Sequence, residues 1–332
     1  MINNNINHIK QYFEKIISLA QTACIVTHQN PDGDGLSASI ALYHILEQYF
    51  KLKVDIVIDS AFPKFLLHLT TQNLRYLQYN KSNKYDILFV LDCNEKSRID
   101  TDSQIFNNAK HVFIVDHHVI KSDELSKEYF YYIDENAVST GIMLHRFLKD
   151  YITELDDVYQ KLYADCIYTT ILNDTNNFIN KNTDNETFLI SAELMKYGLK
   201  PADIVYEFLL KTNISYLKFV GQSLATLCLS ESKKIAYFYC TTRMLNENNL
   251  TTEAYSKMMK WTKGITDVEI QVNFQQYGEN DFRVSLRSEC RDMAAIAQQY
   301  GGGGHKEAAG FRIQEDLENS IIKVINHIES TL

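Results

Sequence analysis

Hydrophobic positions in the first half of the chain fall in short blocks: 23–27 (ACIVT), 54–58 (VDIVI), 87–91 (ILFVL) and 112–115 (VFIV). Blocks of four or five apolar or β-branched residues are too short for buried helices and fit strands covered on both faces. After the first block, a loop with Pro31, Gly33 and Gly35 leads into an amphipathic stretch over 36–50, so the order there is strand, turn, helix. Strands alternating with helices predict an α/β fold with a doubly wound parallel sheet. From about 184 to 217 the pattern is helical, and Pro201 suits a first helical turn. Beyond it, 224–229, 235–239, 268–274 and 282–286 read as strands, with helices over 293–300 and 317–328. The expected organisation is a first domain over 1–185, a helical connector over 186–216 and a smaller mixed α/β domain over 217–332, with a cleft between the domains.

Composition narrows the class. A chain of 332 residues with 45% hydrophobic and 23% charged residues has the makeup of an ordinary globular protein and can bury a core without disulfides or a structural metal. No stretch reaches the roughly 18 uncharged apolar residues of a membrane span, and the start MINNNINHIKQYFEK has no basic segment followed by an apolar run. The reading is cytoplasmic, with no membrane. Six scattered cysteines without a CxxC pair are neither a zinc pattern nor a disulfide framework and are expected to be reduced core residues. A net charge of −9 argues against coating long nucleic acid through a broad basic surface. It leaves room for a small anionic substrate at one locally positive or metal-loaded site.

The acids and histidines of the first half are placed unusually. The block ACIVT runs into His28, Asp32 and Asp34; ILFVL runs into Asp92; VFIV runs into Asp116, His117 and His118; and Asp174 follows the apolar run 166–172. In an open parallel sheet the carboxyl ends of the strands form the ligand crevice, so such groups converge. Taken singly, Asp32-Gly33-Asp34-Gly35 is a generic turn and His117-His118 carries little information. Four clusters recurring in one half of one chain point to a metal site, because unpaired carboxylates against apolar runs are costly to desolvate. Imidazole mixed with carboxylate and no thiolate favours a hard or borderline divalent ion such as Mn²⁺. Five or more ligands exceed the need of one ion and fit a two-ion site that clamps a phosphoryl group and activates water. The remaining histidines (His8, His44, His68, His111, His145, His327) lack such company and read as surface or satisfied core groups.

In the second domain, four of the chain's 12 glycines stand together in Gly301-Gly302-Gly303-Gly304-His305, ahead of Ala308-Ala309-Gly310. A glycine run is often only a flexible loop, yet it also lets backbone N–H groups approach an anion. Arg283, Arg287, Arg291, Lys306 and Arg312 make this region locally basic, and Arg287 with His305 could complete a phosphate pocket.

These residues together resemble the DHH phosphoesterases that carry a DHHA1 domain. The resemblance rests on His28-Gln29-Asn30-Pro31-Asp32-Gly33-Asp34, Asp92, Asp116-His117-His118, Asp174-Thr175, and Arg287-Ser288 with GGGGHKEAAG, and it covers nearly the whole chain. By length and layout it is most similar to the NrnA-type nanoRNases, which also remove the 3′-phosphate of phosphoadenosine phosphate. The resemblance implies that His28, Asp32 and Asp92 hold one Mn²⁺ and Asp34, Asp92, His117 and Asp174 the other, with Mg²⁺ or Co²⁺ as substitutes. It implies catalytic roles for His118, which would face the substrate phosphate, and for Asp116, which would orient the histidines. It further implies that Arg287, Ser288, Gly302, Gly303, Gly304 and His305 bind the nucleotide. Gly35, Ser37, Ala38 and Asn173 depart from the family pattern, Asn173 standing where threonine is common, while every implied metal-ligand position is intact.

The expected activity is therefore a Mn²⁺-dependent phosphoesterase of exoribonuclease type, acting on short single-stranded RNA and on phosphoadenosine phosphate. The nearest alternative is a phosphodiesterase for cyclic di-AMP or linear pApA; an exonuclease on long single-stranded DNA and an inorganic pyrophosphatase fit less well. From another class comes a catalytically silent nucleotide-binding protein, which a missing ligand would have supported. No stable protein partner is implied, and a homodimer is compatible with the sequence.

Overall fold

The computed structural model describes residues 5–120 and 128–332. The chain separates into two compact units, Met1–Lys211 and Thr212–Leu332.

The first unit opens with α1 (Ile6–Ile17), capped by the Asn5 side chain, which accepts from the N–H groups of Asn7 and His8; its inner face is Ile9, Phe13, Ile16 and Ile17. Six strands follow in one sheet: β1 (Thr22–Val26), β2 (Lys53–Val57), β3 (Tyr76–Leu77), β4 (Tyr85–Leu91), β5 (Ala109–Asp116) and β6 (Phe130–Ile133). Every pairing is parallel, and the order is β3-β2-β1-β4-β5-β6. The four predicted blocks are thus β1, β2, β4 and β5. Alternation along these strands feeds two cores: Ala23, Ile25, Ile87, Phe89, Phe113 and Val115 meet the helices, whereas Cys24, Val26, Leu88, Val90, Val112 and Ile114 meet short turns with Ile99, Ile105 and Phe106. That double coverage is why the strands read as unbroken apolar runs.

The helices of this unit are α2 (Gly33–His44), α3 (Thr140–Ile152), α4 (Asp157–Thr175), α5 (Asn185–Leu194) and α6 (Pro201–Val205). All twelve residues of α2 are buried, because the helix is wrapped by α3, α4 and the sheet. The amphipathic reading of 36–50 is corrected accordingly: only its last turn, over Ile45–Tyr49, reaches the surface. A second correction concerns 166–172, which lies inside α4, so Asp174 stands at a helix end and not at a strand end. Short apolar runs do not distinguish strand from buried helix. Among the described residues, no helix is long and apolar enough to cross a membrane.

The second unit begins with α7 (Ile214–Leu224), followed by β7 (Cys228–Leu229), β8 (Ile235–Cys240), α8 (Thr242–Glu247), β9 (Ile270–Gly278), β10 (Asp281–Ser288), α9 (Met293–Gln299), β11 (Gly303–His305), β12 (Ala308–Ile313) and α10 (Leu317–Glu329). Its sheet runs β11-β12-β10-β9-β8-β7, antiparallel except for the parallel pair β8–β9. The strand read over 224–229 shrinks to β7, since Leu224 closes a helix. The glycine run is not wholly a free loop: Gly303 and Gly304, with His305, form the edge strand β11. Strand propensity disfavours glycine, but at Gly304, with φ +144°, a Cβ would lie 2.5 Å from Ala308 O and from Ala309 Cα. Of the six cysteines, all free, Cys228 and Cys290 are exposed, so only four are the core residues expected.

Candidate active site

In a sheet of this order the connections leave in opposite directions from β1 and β4, and the crevice at their carboxyl ends is the natural ligand position. The loop after β1 delivers His28, Asp32 and Asp34; the residue after β4 is Asp92; β5 ends in Asp116, followed by His117 and His118. Asp174 joins them from the last turn of α4.

Local structure fixes each group. Asp32 caps α2, its Oδ1 accepting from the N–H groups of Asp34 (2.9 Å) and Gly35 (3.2 Å). A Cβ on Gly35 would sit 2.2 Å from Thr27 Oγ1 and 3.3 Å from Asp92 Oδ2, so the helix can start this close to the sheet only with glycine there. Asp34 is fully buried, and its carboxylate accepts from Thr140 N (2.7 Å) and Gly141 N (3.1 Å) at the amino end of α3, where the helix dipole favours negative charge. Asp92 has φ +57°, a left-handed conformation rare for a side-chain-bearing residue and common at functional turns.

The histidines face inward through one nitrogen. His28 Nδ1 lies 2.9 Å from Gln29 O, and His117 Nδ1 lies 3.2 Å from Ala137 O. Those carbonyls require Nδ1–H, which turns each Nε2 toward the carboxylates. His28 Nε2 is 3.6 Å from Asp32 Oδ1 and 3.4 Å from Asp92 Oδ2. His117 Nε2 is 3.5 Å from Asp92 Oδ1, 3.7 Å from Asp34 Oδ2 and 3.8 Å from Asp174 Oδ2. These separations are long for hydrogen bonds. His118 differs: its Nδ1 is 2.8 Å from Asp116 Oδ1 and 3.3 Å from Asp92 Oδ1, and its side chain is 43% exposed, so Nε2 is the nitrogen left for solvent or substrate.

The electrostatics describe a site short of positive charge. For His28 and His117 burial opposes protonation, yet the neighbouring carboxylates, Asp92 foremost for His117 and Asp32 for His28, outweigh it and push both up to about 10. His118 is likewise pushed up to about 10, mainly by Asp116 and then by Asp92. Burial, with Asp92 nearby, raises Asp34 to about 7, and burial with Asp34 nearby holds Asp174 well above the usual carboxylate range. Asp92 goes the other way: burial is outweighed by the three histidines, which hold it well below that range. Asp174 Oδ2 is buried without a hydrogen-bond partner. Orphaned carboxylate oxygens facing imidazole nitrogens are a donor set that fits divalent cations. Three groups bring ligand atoms within 4.8 Å of one another: His28 with Asp32 and Asp92, Asp34 with His117 and Asp174, and Asp92 with His117 and His118.

Sequence reasoning missed three supporting groups. Thr140 and Gly141 hold Asp34, and Thr140 Oγ1 also donates to Asp92 Oδ1 at 3.3 Å; the Ser139-Thr140-Gly141 start of an apolar helix was the available signal. Asn173 accepts from Gly33 N (3.2 Å) through Oδ1 and donates from Nδ2 to Asp32 Oδ2 (3.1 Å) and Asp174 Oδ1 (2.9 Å).

In the second unit, strand register sets Arg287 opposite Ala308, and Ala308 opposite His305, so Arg287 and His305 share one face of the sheet about 10 Å apart across two strand spacings. Both are exposed. Ser288 is buried, its Oγ donating to Glu269 O at 2.8 Å and accepting from the N–H groups of Cys290 and Arg291, so its hydroxyl is engaged in shaping the turn.

Residues 22–171 match the DHH family, N-terminal domain, and residues 232–331 match the DHHA1 domain. The chain carries a DHH domain followed by a DHHA1 domain. It is therefore a hydrolytic enzyme of a metal-dependent class. Among curated DHH relatives, it is 29% identical over 316 residues to the bifunctional oligoribonuclease and PAP phosphatase NrnA of Mycoplasma genitalium, covering 93% of this chain and 91% of that one. It is 27% identical to the protein of the same name from Thermus thermophilus, over 97% of this chain and 96% of the relative. The crystal structure of an exopolyphosphatase-related protein from Bacteroides fragilis superposes with a TM-score of 0.85 at 23% identity, over 97% of this chain and 95% of that one, which establishes the shared fold.

Proposed function

We propose that this protein is a Mn²⁺-dependent phosphoesterase that degrades short oligoribonucleotides to mononucleotides and removes the 3′-phosphate of phosphoadenosine phosphate. The observation that carries the reading is the position of Asp92, whose Oδ2 faces His28 while its Oδ1 faces His117. One carboxylate with an oxygen for each histidine cluster is the arrangement a shared ligand of two cations needs. In this reading His28, Asp32 and Asp92 hold one ion, and Asp34, Asp92, His117 and Asp174 the other. Bound divalent ions would supply Lewis-acid polarisation of the phosphoryl oxygens and lower the pKa of a nearby water. Two divalent cations would balance the charge of Asp32, Asp34, Asp92 and Asp174 and would take the place of protons on the histidines.

The chain's own residues do the rest. His118, whose Nδ1 faces Asp116 Oδ1 at 2.8 Å, presents Nε2 to a phosphoryl oxygen, where in its protonated form it is a donor whose bond strengthens as negative charge builds in the transition state. Asp116 acts through His118 and is a positioning residue. Arg287 and His305, with the backbone of Gly302, Gly303 and Gly304, grip the nucleotide or a second phosphate. The NrnA relatives, named as oligoribonucleases and PAP phosphatases, support this choice of substrates.

The test is a comparison of kcat/KM for a diribonucleotide, a 24-mer RNA, phosphoadenosine phosphate and cyclic di-AMP with Mn²⁺, Mg²⁺, Co²⁺ or chelator. The diribonucleotide and phosphoadenosine phosphate should be turned over best, with Mn²⁺, and Asp92→Ala should abolish turnover. A preference for cyclic di-AMP, or full activity in chelator, would overturn the reading.

A further inference from the structure

The two faces of the β10–β12 pair differ in kind. Val284, Leu286, Ala309 and Phe311 belong to the core of the second unit. The opposite face is read from the register in three rows: Arg287, Ala308 and His305; then Ser285, Gly310 and Gly303; then Arg283 and Arg312. The middle row has almost no side chain. Its glycines floor a cavity of about 440 Å³ whose lining includes Tyr277, Arg283, Phe311 and Arg312.

The two arginines of the third row are not equivalent. Arg312 is engaged by Asp281 through Nε (3.0 Å) and Nη2 (2.5 Å), and its guanidinium lies 4.9 Å from the centre of the Tyr277 ring. It is a neutralised, stacked wall. Arg283 is exposed and has no carboxylate at ion-pair distance among the described residues. The same holds for Arg287, whose pKa is lowered by burial and then by the charge of Arg283. In a chain of net charge −9, two mutually repelling cations left without acids on one face are arranged for an anion.

We propose that Arg283, with the Gly303–Gly310 floor and the Tyr277–Arg312 wall, forms a second phosphate subsite that takes an internal phosphate of an oligonucleotide. The strand's end would be held at Arg287 and His305, so the proposal rests on the function assigned to those residues above. Arg283 and Arg287 are four residues apart on one strand, about 13 Å at roughly 3.3 Å per residue. A nucleic acid strand covers that span in about two to four internucleotide steps, according to whether it is extended or stacked, and a dinucleotide has one such step. A diribonucleotide or phosphoadenosine phosphate is too short to reach Arg283, whereas a tetranucleotide reaches it. The subsite therefore sets which short substrates are favoured.

Two measurements on the full-length protein test this. In Mn²⁺, the ratio of KM for a tetraribonucleotide to KM for a diribonucleotide should rise about tenfold in Arg283→Ala, the loss of one charge-assisted contact, and Arg283→Lys should restore part of it. In chelator, where nothing is turned over, anisotropy of a labelled tetraribonucleotide should show the slope of log K against log salt reduced by about 0.7 in Arg283→Ala, one phosphate contact fewer on a single strand. An unchanged KM ratio together with an unchanged salt slope would overturn the subsite. So would an equal KM increase for both substrates, which would place Arg283 in the grip on the end. A reduced slope in a protein that hydrolyses no nucleotide would uphold the subsite while overturning the proposed function.

Discussion

Asn173 ties together two carboxylates that sequence separation keeps apart, donating to Asp32 and Asp174 while accepting from Gly33 N. Alanine there removes three hydrogen bonds, and the carboxylates lose the donor that offsets their repulsion. Asn173→Ala should weaken divalent-cation binding about tenfold, as loss of an outer hydrogen-bonding partner does, and threonine, with one hydroxyl, should recover only part; calorimetric titration with Mn²⁺ reads this without turnover. The histidine pair should divide by role. His117→Ala should lose bound metal, whereas His118→Ala should lower kcat by orders of magnitude with metal content near wild type; elemental analysis showing equal loss from both would refute the division. His44, expected to be a satisfied group, is fully buried with neither ring nitrogen bonded. Burial lowers its pKa to about 4, so between that value and 6.5 the unfolded chain binds the extra proton and stability falls as pH falls. The loss amounts to about 3 kcal/mol across that window. In urea unfolding, His44→Phe should lose less stability than wild type between pH 7 and pH 5.

At the scale of elements, the site depends on how closely α2 starts beneath the ends of β1 and β4. Gly35 is the contact that permits it, since a Cβ there would fall 2.2 Å from Thr27 Oγ1. Gly35→Ala should destabilise the protein by about 1–3 kcal/mol, the cost of overpacking a filled core, and should also displace Asp92. Thr27→Ala in the same chain should return part of the stability, because it removes the hydroxyl that the new methyl meets. Thermal unfolding of the single and double variants checks this. The strand blocks of the first unit were legible because burial on both faces leaves them apolar throughout. α2 and α4 were harder to read, since a helix buried on most sides shows no polar stripe. β11 and β12 were illegible because three glycines and two alanines have little strand propensity, and close backbone approach, not side-chain preference, holds them in the sheet.

At the scale of the whole molecule, the ionisable cluster lies in the first unit, and the second presents arginines and glycine backbone on a sheet face. Chemistry and recognition should accordingly separate under mutation. Arg287→Ala should raise KM for a diribonucleotide at least tenfold, the loss of a charged contact to phosphate, while hydrolysis of bis-p-nitrophenyl phosphate, which needs only the ionisable cluster, should change little. Parallel losses on both substrates would mean that Arg287 serves the chemical step.

The sequence by itself determined the strand blocks, marked His28, Asp32, Asp34, Asp92, His117 and Asp174 as candidate ligands, and set the basic character of the region around Arg287, because these are carried by residue type and short-range spacing. It could not determine that Asp174 arrives on a helix, that Asn173 bridges two carboxylates, or that Ser288 is buried. Those depend on which distant segments the sheet order brings side by side. Tertiary structure also decided which arginine is paired with an acid: Arg312 and Arg283 are alike in sequence, but Asp281 reaches only Arg312.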